Sequence, residues 1–182
     1  MTHYGGKELA RSFRTVRNNT ITIAEEIPED RYDFRPSAET RSVRELLAHI
    51  AFIPRLQQQM QTDRVTDVGT VNFMALLQPI LAEEAKPRTK AEIVALLAAE
   101  RDRFTSYLEG LADGFLAEIV TQGHGAQPAM KSRLEMLMSP KEHEMHHRGQ
   151  LMLIERMVGV VPHLTRQMQQ RMAQAQAAPA AR

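Results

Sequence analysis

The sequence predicts an all-α protein: a four-helix bundle with a long crossover between helices two and three. Three observations carry that expectation. Four segments repeat apolar residues at helical spacing. No segment alternates apolar and polar residues convincingly with the period of a strand. The stretch from Asp63 to Pro87 is too long for the hairpin link of a plain up-down bundle, so the chain must cross the bundle there.

The first helix carries Leu9, Phe13, Val16, Thr20, Ile23 and Ile27 on one stripe, and Pro28 follows where a helix can no longer continue. The next stretch, PEDRYDFRPSAET, is loop by composition, with Arg35 held extended by Pro36. Helix two opens on a capping box, Ser42-Val43-Arg44-Glu45, in which serine and glutamate satisfy each other's free backbone N–H groups. Its stripe is Leu46, His49, Ile53, Leu56 and Met60, and Pro54 is expected to kink or shorten it. The long connection has room for a short helix over Asn72–Ala82. Helix three begins at a second box, Thr89-Lys90-Ala91-Glu92, and runs to about Leu111 with Ile93, Leu97, Glu100, Phe104, Leu108 and Leu111 in line. Asp113 to Met130 is irregular, punctuated by Gly114, Gly123, Gly125 and Pro128, with a short strand expected over Phe115–Val120. Helix four spans Ser132 to Val158 and stops at Gly159; its stripe is Met136, Pro140, His143, His147, Leu151, Ile154 and Val158, and Pro140 is a second expected kink. Two units follow: a bundle over residues 1–162, and a C-terminal extension over residues 163–182, helical to about Gln176 and then frayed.

Composition narrows the function. Of 182 residues, 43% are apolar and 25% charged, the balance of a globular protein with one sizeable core. Lys+Arg 23 against Asp+Glu 22 leaves a net charge of +1, without the basic excess of a dedicated nucleic-acid binder. Cysteine is absent, so this chain supplies no disulfide, no thiolate metal ligand and no thiol nucleophile. The longest uncharged run, Val68 to Ala82, is too short to span a membrane. The opening MTHYGGKELARSF carries no secretory apolar run, and a cytoplasmic protein is the expectation.

Among seven histidines, three sit on apolar stripes. His143 and His147 are i, i+4 neighbours, so one helix face presents two imidazoles that can converge on an ion. His49 sits on the stripe of helix two, placed to meet them across the core. Three neutral imidazoles suit zinc, nickel, iron or copper and leave positions open for water or substrate. Such an ion would acidify a water or a substrate thiol. Two other readings compete. His143-Glu144-Met145-His146-His147 satisfies H-E-x-x-H, with Glu144 as the general base of a zincin-type hydrolase, but neither the third ligand of that motif nor a peptide-binding edge strand follows. A second E-x-x-H, which a dinuclear carboxylate site needs, is missing. The bland alternative is a non-catalytic bundle, braced by an ion or binding a partner through its methionines.

The run from His143 to Gln150, HEMHHRGQ, taken with Tyr32-Asp-Phe-Arg-Pro36 and with Arg41 to His49, RSVRELLAH, resembles the DinB/YfiT-like family of metal-binding four-helix bundles. The resemblance covers roughly Lys7 to Pro162. It implies a left-handed bundle, usually a homodimer, with a single divalent ion, nickel or zinc, on residues matching His49, His143 and His147. It also implies a small-molecule substrate, with no membrane or nucleic-acid partner. Characterised relatives include transferases and isomerases that use low-molecular-weight thiols as cosubstrates. Around the three histidines, Gln150 lies where it can bond a ligand or substrate, unless it is simply a polar residue at the helix edge. Arg148 reads as a salt bridge or as a clamp for a substrate anion. Glu45 and Glu100 are candidates to orient an imidazole; a solvated or ion-paired glutamate is the commoner outcome for each. Gly149 costs about 1 kcal/mol in a helix interior relative to alanine, which a close helix approach would explain.

Overall fold

The computed structural model describes residues 4–123 and 125–177; His3, His124 and the end of the extension lie outside them. Ten elements follow one another: α1 (Gly6–Glu26), α2 (Val43–Phe52), α3 (Pro54–Thr62), α4 (Phe73–Glu84), α5 (Lys90–Glu109), α6 (Asp113–Leu116), β1 (Ile119–Thr121), β2 (Met130–Ser132), α7 (Arg133–Met157) and α8 (His163–Ala177). The four long rods of the bundle are α1, α2 with α3, α5 and α7. Capping boxes start α2 at Ser42, α5 at Thr89 and α7 at Ser132, each serine or threonine accepting from the backbone N–H three residues on.

Both α1 and the α2–α3 rod pack on α5 and on α7. The order around the bundle is therefore α1, α5, α2–α3, α7, with α1 diagonal to α2–α3 and α5 diagonal to α7. The crossover from α3 to α5 contains α4, which Asn72 caps by accepting from Ala75 N. The α4 helix leans on α2 and α3, and only its Ile80 is buried.

Several expectations shift by physical detail. Pro54 does not merely kink helix two; it ends α2 at Phe52 and begins α3 as that helix's first residue, the position where a missing N–H costs nothing. The strand expected over Phe115–Val120 is displaced: its first residues form the α6 turn, and the strand is Ile119–Thr121, paired antiparallel with Met130–Ser132. Pro140 sits inside an unbroken α7. Gly149 faces open space, since a Cβ there would meet nothing within 4 Å, so no close helix approach accounts for it.

Two apolar clusters fill the bundle, one around Phe13, Phe104 and Leu137 and one around Ile23, Leu47, Ile93 and Leu151. On α1, between the residues of these clusters, lies Arg17, wholly buried. Its Nε donates to Glu144 Oε1 at 2.8 Å and Oε2 at 3.0 Å, its Nη1 to Leu97 O at 3.3 Å and its Nη2 to Ile50 O at 2.9 Å. One side chain thus ties α1 to each of the other three rods. The Ile50 carbonyl needs this donor because its helical partner would be the nitrogen of Pro54, which carries no hydrogen.

The α8 helix is anchored by its first turn. His163, buried, bonds Asn19 Oδ1 at 3.1 Å, and Arg166 pairs with Glu26. Beneath it Glu155 is fully buried with both carboxyl oxygens unpartnered among the described residues. Burial, and then the Glu26 charge, push its pKa from 4.5 up to about 7. The folded chain therefore holds this proton more tightly than the unfolded one, and Glu155 costs stability increasingly as pH rises from about 4.5 to 7. Glu155→Gln is expected to raise the melting temperature at pH 8 and to change it far less at pH 4.5. Equal shifts at both pH values would contradict that cause.

Candidate metal centre

The three striped histidines meet. His49 lies in the last turn of α2, where the chain is about to break at Pro54. His143 and His147 stand one turn apart on α7. His49 Nε2 lies 3.3 Å from His143 Nε2, which lies 3.1 Å from His147 Nε2. One nitrogen of each residue falls within 4.8 Å of the other two. Two donors at 2.0–2.1 Å from one tetrahedral ion lie about 3.3 Å apart, so the observed spacing is that of a shared cation.

Their hydrogen bonds fix which nitrogen faces inward. His49 Nδ1 donates to Glu84 Oε1 at 3.0 Å, and His147 Nδ1 donates to Gln150 Oε1 at 2.8 Å. Protons on Nδ1 leave the Nε2 lone pairs free and turned toward one another. Neutral lone pairs at this separation repel unless a cation sits between them. Burial, followed by the neighbouring imidazoles and Arg41, depresses His143 to about 4. Burial likewise lowers His147. Both rings are therefore neutral at physiological pH, the state a metal requires. A donor set of three imidazoles fits zinc or nickel.

The other candidate residues divide. Gln150 orients His147 through its carbonyl oxygen, and its amide lies 3.3 Å from Nε2 of the exposed His146. The Glu45 side chain makes no hydrogen bond with the His49 imidazole. It closes the Ser42 capping box at 2.9 Å and pairs with Arg35 at 2.6 Å. Glu100 is bound by Arg55 and by Arg103, with no imidazole in reach of its hydrogen bonds. Arg148, half-buried, makes no hydrogen bond or ion pair with the cluster; its charge acts on His163 at the start of α8. Glu144 is 1% exposed and committed to Arg17, so it does not face the cluster as the base of a zincin-type hydrolase.

The residue that orients His49 is one the sequence reading passed over, Glu84, at the C-terminus of the crossover helix α4. Both side chains are close to 10% exposed. A carboxylate on the far nitrogen of a ligand imidazole raises its basicity and holds its plane. Glu84→Ala is expected to weaken divalent-metal binding by about 10–100-fold, read by chelator competition. An unchanged affinity would show that His49 is held by packing alone.

Beside His147 and Gln150 opens a cleft of about 740 Å³. One wall is the segment from Arg35 to Leu46, and the other is α7 from His147 to Ile154. Its size is that of a small-molecule site. No helix among the described residues is long and apolar enough to cross a membrane.

The family model described as the DinB superfamily matches residues 12–151. The uncharacterized protein YjoA of Bacillus subtilis (strain 168) is 24% identical over 160 residues, which are 84% of this chain and 90% of YjoA. The crystal structure of YjoA, a DinB-like protein, superposes with a TM-score of 0.62 at 22% identity, covering 84% of this chain and 92% of that one. YfiT of Bacillus subtilis, described as a probable metal-dependent hydrolase with an unusual four-helix bundle topology, superposes at 0.63 with 14% identity, covering 88% and 91%. At such identities these likenesses establish the fold.

Proposed function

From the premise that the chain belongs to the DinB superfamily, we propose that it is a metal-dependent enzyme acting on a small molecule. His49, His143 and His147 would hold one divalent ion, nickel or zinc. The observation that carries this reading is the convergence of three Nε2 atoms, two of them oriented from behind, at the edge of an open cleft. When bound, such an ion lowers the pKa of a water or thiol beside it and so supplies a nucleophile at neutral pH.

The chain's own residues do the rest. Glu84 and Gln150 hold two imidazoles in the tautomer that leaves Nε2 free. The apolar wall of the cleft, Leu46, Leu153 and Ile154, gives an electrophile a surface to pack against. The attacking group would be a water or a low-molecular-weight thiol. The thiol reading rests on the resemblance; the hydrolytic reading draws on what is said of YfiT.

The test is turnover by the zinc- or nickel-loaded protein. Thiol cosubstrates paired with small electrophiles, and activated esters with water alone, form its two arms. We expect product in one arm, lost on chelation and restored by metal. No turnover in either arm, with metal bound and chelation only lowering thermal stability, would leave a metal-braced, non-catalytic bundle.

A further inference from the structure

We propose that Arg41 is the carboxylate-binding residue of the cleft, taking the single negative charge of a small, partly apolar substrate whose reacting group lies at the histidine cluster. This rests on the metal-enzyme reading and names its substrate class.

Four charged side chains line the cleft: Arg35, Glu39, Arg41 and Glu45. Two of them neutralise each other, because Arg35 Nη2 donates to Glu45 Oε1 at 2.6 Å while its Nη1 is held by Thr40 O at 2.7 Å. Arg41 differs. It makes no hydrogen bond or ion pair with any described residue, and it stands exposed in the wall. His147 lines the same cleft, so the guanidinium and the histidine cluster open onto one space. A free guanidinium offers a planar fork of donors that a carboxylate accepts in two parallel bonds. Glu39 in the same wall counts against a doubly charged group such as a phosphate monoester. Pro36, Leu46, Leu153 and Ile154 supply the apolar lining for the rest of the molecule. Anion at one end and metal at the other would orient the substrate before reaction.

The experiment uses the full chain loaded with cobalt(II), whose near-ultraviolet thiolate absorption reports a sulfur reaching the ion. The probes are 3-mercaptopropionate and its neutral amide, 3-mercaptopropionamide, with affinities referred to the thiolate form. The acid is expected to bind about tenfold more tightly than the amide. Arg41→Gln should bring the two together, leaving cobalt content and amide affinity unchanged, and Arg41→Lys should keep part of the preference. Equal affinities in the unaltered protein overturn the proposal. So does a preference that survives Arg41→Gln, as direct chelation of the ion by the carboxylate would give. Failure of both probes to give the absorption with cobalt bound overturns the proposal alone; failure of cobalt to bind overturns the metal-enzyme reading and the proposal with it.

Discussion

His49→Ala is expected to lower the affinity for a divalent ion by more than about 100-fold. The magnitude follows from a comparison: losing a hydrogen-bond partner behind a ligand already costs about 10–100-fold, and losing the ligand must cost more. His49 is the only ligand from α2, and without it two imidazoles on one helix face an ion from one side. The fold should survive, because the Glu84 carboxylate that loses its partner sits at the margin of the core, about 11% exposed, where water can enter the space left by the imidazole. Circular dichroism at 20 °C would confirm the helices, and competition with a chromophoric chelator would give the affinity. His146→Ala is the control. That residue is exposed and lies outside the cluster, meeting it through Gln150 and an edge-on contact with the His147 ring, centroids 5.0 Å apart, so metal binding should be nearly unchanged. An affinity that His49→Ala leaves intact would place the metal elsewhere or remove it altogether.

The second large effect is on stability. Arg17→Met should cost about 3–5 kcal/mol, because it strands Glu144 as an unpaired charge in the core and also removes the donor to Ile50 O. Glu144→Leu alone should cost a similar amount by leaving Arg17 without its counter-charge. The double substitution should recover much of the loss, since a buried ion pair often contributes little more than apolar residues of similar volume. Urea unfolding of the four proteins, with a common m-value, checks this cycle. The same pair separates two chemistries. If Glu144 serves structure, Glu144→Gln lowers the melting temperature while retaining metal and activity below it. A stable, metal-loaded and inactive Glu144→Gln protein would restore Glu144 as a catalytic base.

The pattern of apolar residues made the four rods legible, along with the capping boxes at Ser42 and Thr89, because periodicity and caps are local properties of the chain; the third box, at Ser132, is seen in the structure. It also brought out His49, His143 and His147, whose polar side chains stand conspicuously among leucines and isoleucines. The pairing of Arg17 with Glu144, which the sequence offered only as a catalytic base, is legible in principle. Ala10, Phe13, Arg17, Thr20 and Ala24 recur at 3, 4, 3, 4, and every one is buried. Leu137, Pro140, Glu144, His147 and Leu151 repeat the same spacing on α7, and all are buried. A charged residue on such a stripe is discounted when read alone; its meaning comes from an opposite charge on a stripe far away in sequence. Glu84 had no local signal at all. It reaches His49 only because the crossover folds α4 back against α2, a placement set by tertiary packing. The diagonal arrangement of α1 and α2–α3 is likewise a property of how rods pack rather than of any one of them.

The most direct test of the account is X-ray absorption at the metal edge, on protein loaded with one equivalent of zinc, supported by a crystal structure with anomalous data at that edge. One ion per chain is expected, bound by the Nε2 atoms of His49, His143 and His147 at about 2.0–2.1 Å, with further oxygen donors from solvent. An ion bound without His49, or a purified chain that takes up no stoichiometric metal, would contradict it.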